Sequence, residues 1–211
     1  MYILNVIAFK MYIYEVFMQE QEIIYSKNLP RVWRDEITVK DSLTQTLIFS
    51  GKIPEKVNLK IRLAEKGARG EITFVYLGKE KNSTQINIIL IHEAPDTYGR
   101  ISLKAALFDE SRLNFRGMLE IGTNAKGADS YLSAKVLLVS PQARAEIYPQ
   151  LEIKTDEVKA SHGSSIGRIE ENQLFYLQSR GIKKEAAQNI ILSEFFKGIP
   201  KEVFSKFVPM V

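Results

Sequence analysis

Every second residue is apolar in V-N-L-K-I-R-L (Val57–Leu63) and in E-I-T-F-V-Y-L (Glu71–Leu77). Alternation of this kind predicts strands with one dry face and one wet face. The same pattern predicts further strands at 37–39, 46–49, 85–91, 101–107, 114–121, 134–139 and 145–153. Turn residues separate them, among them Ser50-Gly51, Lys66-Gly67, Gly78, Asn82-Ser83, Pro95-Asp96 and Gly122-Thr123-Asn124. Strand centres recur every 12 to 16 residues from Leu47 to Ile147, with no helix between them. That pitch fits an all-β sandwich, a barrel or a solenoid, and spacing alone does not choose among them.

The period changes near residue 168. Residues 170–180 open with acidic side chains, which suit a helix N-terminus, and Gly181 follows as a stop. Residues 183–197 carry Ala187, Ile190, Ile191 and Glu194 at helical spacing, with Gly198 beyond. Pro200 is placed to open a third helix with Val203, Phe204, Phe207 and Val208 on its apolar face. In this reading Leu174, Leu177, Ile190 and Ile191 face inward. Phe195, Phe196, Phe204 and Phe207 then supply surplus aromatic surface that meets either a partner or the β body.

Composition narrows the function classes. The chain has 211 residues, 45% of them hydrophobic, with 12 Gly, 7 Pro and no Cys. It is long enough for a sizeable core, and the missing thiols exclude Cys-ligated metal and Cys nucleophiles within it. The net charge of +4 comes from mixed signs without a basic cluster, so no nucleic-acid partner is expected. In M-Y-I-L-N-V-I-A-F-K, Lys10 interrupts the apolar run, and Glu15 and Glu20 follow. The segment is therefore expected to pack on the body and not to serve as a leader or membrane span. No nucleophile-elbow, zinc-protease or phosphate-loop motif occurs.

Two histidines remain. His92 ends an apolar run before a Pro-Asp turn and reads as a strand-end residue; Glu93 and Asp96 beside it form the weak outline of a carboxylate pair. His162 lies in V-K-A-S-H-G-S-S-I-G, where an extended chain puts Val158, Ala160 and His162 on one face. Gly163 permits a bend after it. His162 is thus either a structural residue at a strand end or a proton shuttle or metal ligand.

The stretch V-K-A-S-H-G-S-S-I-G-R-I-E-E-N-Q-L-F-Y-L-Q-S-R-G-I (Val158–Ile182) resembles the signature of the SufB/SufD family of iron–sulfur cluster assembly proteins. P-Q-L-E-I (Pro149–Ile153) and E-A-A (Glu185–Ala187) fit the same pattern. The resemblance is specific from about Phe115 to Phe196. It implies a right-handed parallel β-helix over 37–168, a C-terminal helical region over 169–211 and a reduced N-terminal segment over 1–36. It also implies a cytoplasmic scaffold component that is not an enzyme. Such a component pairs through its β-helix with a SufB-type subunit or with itself, and docks a SufC-type ABC ATPase on its helices.

His162 falls on the family's S-H-G histidine and is the cluster-assembly candidate, possible as an iron ligand. Any iron–sulfur cluster would be transient and shared with a partner, with Glu152 or Glu157 as weak additional ligands in a homodimer. The region 130–138, where SufB-type scaffolds carry a Cys, has none here, so the chain resembles SufD more than SufB. Two other readings stand beside this one: an interaction module that kept the fold without the cluster chemistry, and a β-helix polysaccharide-active enzyme.

Overall fold

The computed structural model describes residues 13–16, 21–25, 30–50 and 53–199. Successive strands alternate between two sheets. The first holds β1 (Ile13–Val16), β3 (Val32–Val39), β5 (Lys56–Leu63), β7 (Ser83–His92), β9 (Arg112–Ile121) and β11 (Arg144–Ile153) in that order. The second holds β2 (Gln21–Tyr25), β4 (Ser42–Ser50), β6 (Arg69–Gly78), β8 (Tyr98–Leu107), β10 (Asp129–Leu138) and β12 (Lys159–Arg168). All neighbours pair in parallel, so the molecule is a parallel β-helix in which each rung contributes one strand to each sheet. The pitch read from the sequence is half a rung. Strands β1 and β2 carry both sheets into the first 36 residues.

Alternation explains the core. In β5 the burial is strictly alternate, with Val57, Leu59, Ile61 and Leu63 inside and Lys56, Asn58, Lys60 and Arg62 outside. In-register stacking puts like positions above one another, as in Ile72, Ile101 and Leu132 along the second sheet. The corners stack as well. Gly67 N donates to Pro95 O (3.0 Å), Asp96 N to Lys126 O (2.8 Å) and Gly127 N to Glu157 O (2.7 Å). Gly67, Asp96 and Gly127 all have positive φ, so one turn shape is repeated rung after rung. At Gly127 a Cβ would also run into the Asp96 carboxylate, so a side chain there would have to displace it.

The alternation breaks at the C-terminal ends of β6, β8 and β10, where Val75, Leu77, Ala106 and Leu137 are buried on the outer face of the second sheet. Helix α2 (Lys184–Phe195) covers them with Leu192, and Phe196 at its C-cap joins the same cluster. Helix α1 (Glu171–Ser179) precedes it, and Gly181 (φ +82°) ends α1 as expected. Ile190 differs from the expectation of an inward position and is 47% exposed. At about 100° per residue it lies about 160° from Leu192 and about 120° from Phe196, away from the face that meets the sheet. Helix α2 therefore lies along the flank of the second sheet, and α1 packs on α2.

Candidate functional site

The last rung, β11 with β12, has a neighbouring rung on only one side among the described residues. In-register pairing transfers the inward facing of β9 and β10 to it. Leu113, Phe115, Gly117, Leu119 and Ile121 stack under Ala145, Ile147, Pro149, Leu151 and Ile153. Ser130, Leu132, Ala134 and Val136 stack under Ala160, His162, Ser164 and Ile166. The lower members are buried, whereas Leu151, Ile153 and Ile166 are 37%, 43% and 44% exposed. The β-helix thus ends in an open apolar mouth, and His162 is on its inward side, directly over Leu132.

His162 lies within β12, not at its end, and Gly163, which permits a bend, continues the strand. A Cβ at Gly163 would come within 2.7 Å of the Tyr131 hydroxyl, so glycine lets Tyr131 lie across the outer side of the edge strand. Glu152 and Glu157 do not converge on His162. Glu152 shares register with Glu120 on the opposite, solvent side of β11, and both bond Lys154 (2.8 and 3.3 Å). Glu157 pairs with Lys126 at 3.0 Å. Among the described residues, no three His, Asp or Glu side chains are grouped to hold a metal ion.

His92 is structural, as the sequence suggests. It is fully buried, with Nδ1 2.8 Å from Thr97 Oγ1 and Nε2 2.9 Å from Ser130 Oγ. Burial, and secondarily the Arg100 guanidinium, push its imidazole down to about 4, which keeps it neutral. The neighbouring carboxylates are held by cations: Glu93 bonds Arg62, and Asp96 pairs with Lys66 at 3.5 Å. Neither is free for acid–base work on a sugar.

The aromatic candidates divide. Phe196 is 3% exposed and Phe195 packs edge-on against it at 5.0 Å, so both serve the contact between α2 and the sheet. Phe204 and Phe207 lie outside the described residues. The large apolar side chains that α1 and α2 do present to solvent are Phe175 (73% exposed), Tyr176 (58%) and Ile190. Sequence reasoning missed these because it assigned Ile190 to the interior and gave α1 no outer apolar side. No helix among the described residues is long and apolar enough to cross a membrane.

A family model described as the SufBD core domain of the SUF system of FeS cluster assembly matches residues 40–195. An iron–sulfur cluster assembly SufBD family protein of Mycobacterium tuberculosis is 30% identical over 158 residues, covering 74% of this chain and 19% of that protein. The iron–sulfur cluster assembly protein SufB of Bacillus subtilis is likewise 30% identical over 158 residues, covering 74% of this chain and 34% of SufB. A SufBD family protein of Staphylococcus aureus is 28% identical over 156 residues. The chain spans between about a fifth and a third of the length of these relatives.

Proposed function

Because the chain belongs to the SufBD family, whose described role is iron–sulfur cluster assembly, we propose that it acts as a non-enzymatic, cytoplasmic scaffold component of that process. The observation that carries the reading is the open mouth of the last rung. Leu151, Ile153 and Ile166 are exposed at inward positions, and among the described residues two strand edges have no neighbour beyond them. Unpaired edges and an uncovered apolar rung favour a second β-helix seated end to end. The partner is a SufB-type subunit or a second copy of this chain.

The seam so formed would enclose His162. An iron–sulfur cluster is the cargo here, and it needs several ligands, mostly thiolates. This chain supplies one imidazole and no thiolate, so the partner provides the remaining ligands. That division of ligands is the SufD-like reading. A SufC-type ATPase docks on the exposed sides of α1 and α2, through Phe175, Tyr176 and Ile190, with Phe204 and Phe207 as further contacts.

Sedimentation velocity tests the pairing. The chain, alone or with a SufB-type partner, is expected to sediment as a dimer. Ile153→Asp with Ile166→Asp should leave a folded chain that no longer pairs, since each places a charge in the seam. Unchanged association would overturn the reading.

A further inference from the structure

The outer face of the second sheet carries a row of hydroxyls beside two lysines. Thr73 of β6, Ser102 of β8 and Ser133 of β10 stand in direct register, and all three are partly exposed. Two residues further along the same strands, Lys104 and Lys135 are also in direct register. Cross-strand neighbours on one face are about 5 Å apart, so the two lysines leave the sheet side by side at the end of the hydroxyl row. Like charges directly opposite are unfavourable unless something answers them.

Nothing in the described chain answers this pair in full. Lys104 Nζ donates to the Lys197 carbonyl at 2.6 Å, where the chain leaves α2, which holds that ammonium in place. Glu194 attracts Lys104 but is bonded to Lys197 at 3.3 Å. Asp129, two rows away, is held by Arg100 at 2.6 Å. Glu71 stands in register with Arg100 at the far side of the row. Among the described residues Lys135 makes no ion pair, and the hydroxyls of Thr73, Ser102 and Ser133 bond no protein group. The site therefore combines three free hydroxyls and one free ammonium with a second ammonium already fixed, all on a rigid sheet. Hydroxyls beside ammonium groups on one sheet face suit a multi-oxygen anion, and lysine serves such anions as a point charge.

We propose that Lys104, Lys135 and the row Thr73–Ser102–Ser133 bind a phosphate group, as free phosphate or as a small phosphomonoester. The dianion lies over Ser102 and Ser133, accepts their hydroxyls, and neutralises the lysine pair. This site lies on the flank of the β-helix and is independent of the mouth at the last rung.

The test is an amide NMR titration of the full chain with sodium phosphate, with sodium chloride at equal ionic strength as the reference. A parallel arm uses glycerol phosphate, which separates free phosphate from a monoester. Saturable shifts at 102, 104, 133 and 135 in either arm support the site, and the arm with the tighter binding names the source. Lys135→Gln and Ser133→Ala, both at solvent-facing positions, should each weaken binding by about fivefold. Shifts that rise linearly without saturating, saturate elsewhere, or persist unchanged in Lys135→Gln would overturn the proposal.

Discussion

Replacing His92 with Asn separates the charge of the imidazole from its packing. In the folded chain burial pushes His92 down to about 4, against an ordinary value of 6.5. The unfolded chain therefore takes up a proton at higher pH than the folded one. Stability from this group is complete above about pH 6.5, is lost as pH falls through the window from 6.5 to 4, and changes no further below 4. At about 1.4 kcal/mol per unit, the full loss is about 3 kcal/mol. The variant has no such proton, and it also disturbs the contacts to Thr97 and Ser130, which costs about 1–3 kcal/mol at neutral pH. Urea unfolding from pH 7.5 to 4.5 should then show the parent more stable than His92→Asn at neutral pH, with the gap closing steadily as pH falls. A gap independent of pH would refute a neutral, buried His92.

Other substitutions test other parts of the account. Among the described residues the buried Tyr76 hydroxyl has no hydrogen-bond partner, so Tyr76→Phe should raise the urea midpoint, by about 1 kcal/mol of stability. At Gly99 a Cβ would meet His92 Nε2 at 2.7 Å and Leu90 Cδ2 close by, so Gly99→Ala should cost about 1–3 kcal/mol in the same assay. Phe196→Ala opens the contact between α2 and the sheet and should lower stability by about 3–5 kcal/mol. Phe175→Ala, at an exposed site, should leave the melting temperature unchanged while weakening binding of a SufC-type ATPase in a pull-down titration.

Strands β3 to β11 were legible because alternation is a local property, and Val57–Leu63 shows it without exception. Their arrangement was not, since sandwich and solenoid share the same strand length and dry face. What distinguishes them is the parallel register of Ile72, Ile101 and Leu132, which no local pattern records; the resemblance over Val158–Ile182 supplied it. The seat of α2 left a trace that went unread. Val75–Leu77, Ala105–Leu107 and Val136–Leu138 are apolar at every position, so both faces of those strand ends had to be covered.

His162 was identifiable as a residue of interest, as was the face it shares with Ala160, but its place in the middle of β12 over Leu132 was not. The run S-H-G-S-S-I-G has little intrinsic strand preference and forms β12 by pairing along its whole length with β10. The placement of Glu152 on the opposite side of β11 likewise follows from register and not from its closeness to His162 in sequence.

The most direct test of the account reconstitutes the full chain with a SufB-type partner and a SufC-type ATPase, supplies iron and sulfide, and measures both in the isolated complex. With His162→Ala, subunit association should persist, because the apolar mouth is intact, while bound iron and acid-labile sulfide fall together. Normal iron and sulfide in an intact His162→Ala complex would contradict a part for this chain's own mouth in holding the cluster.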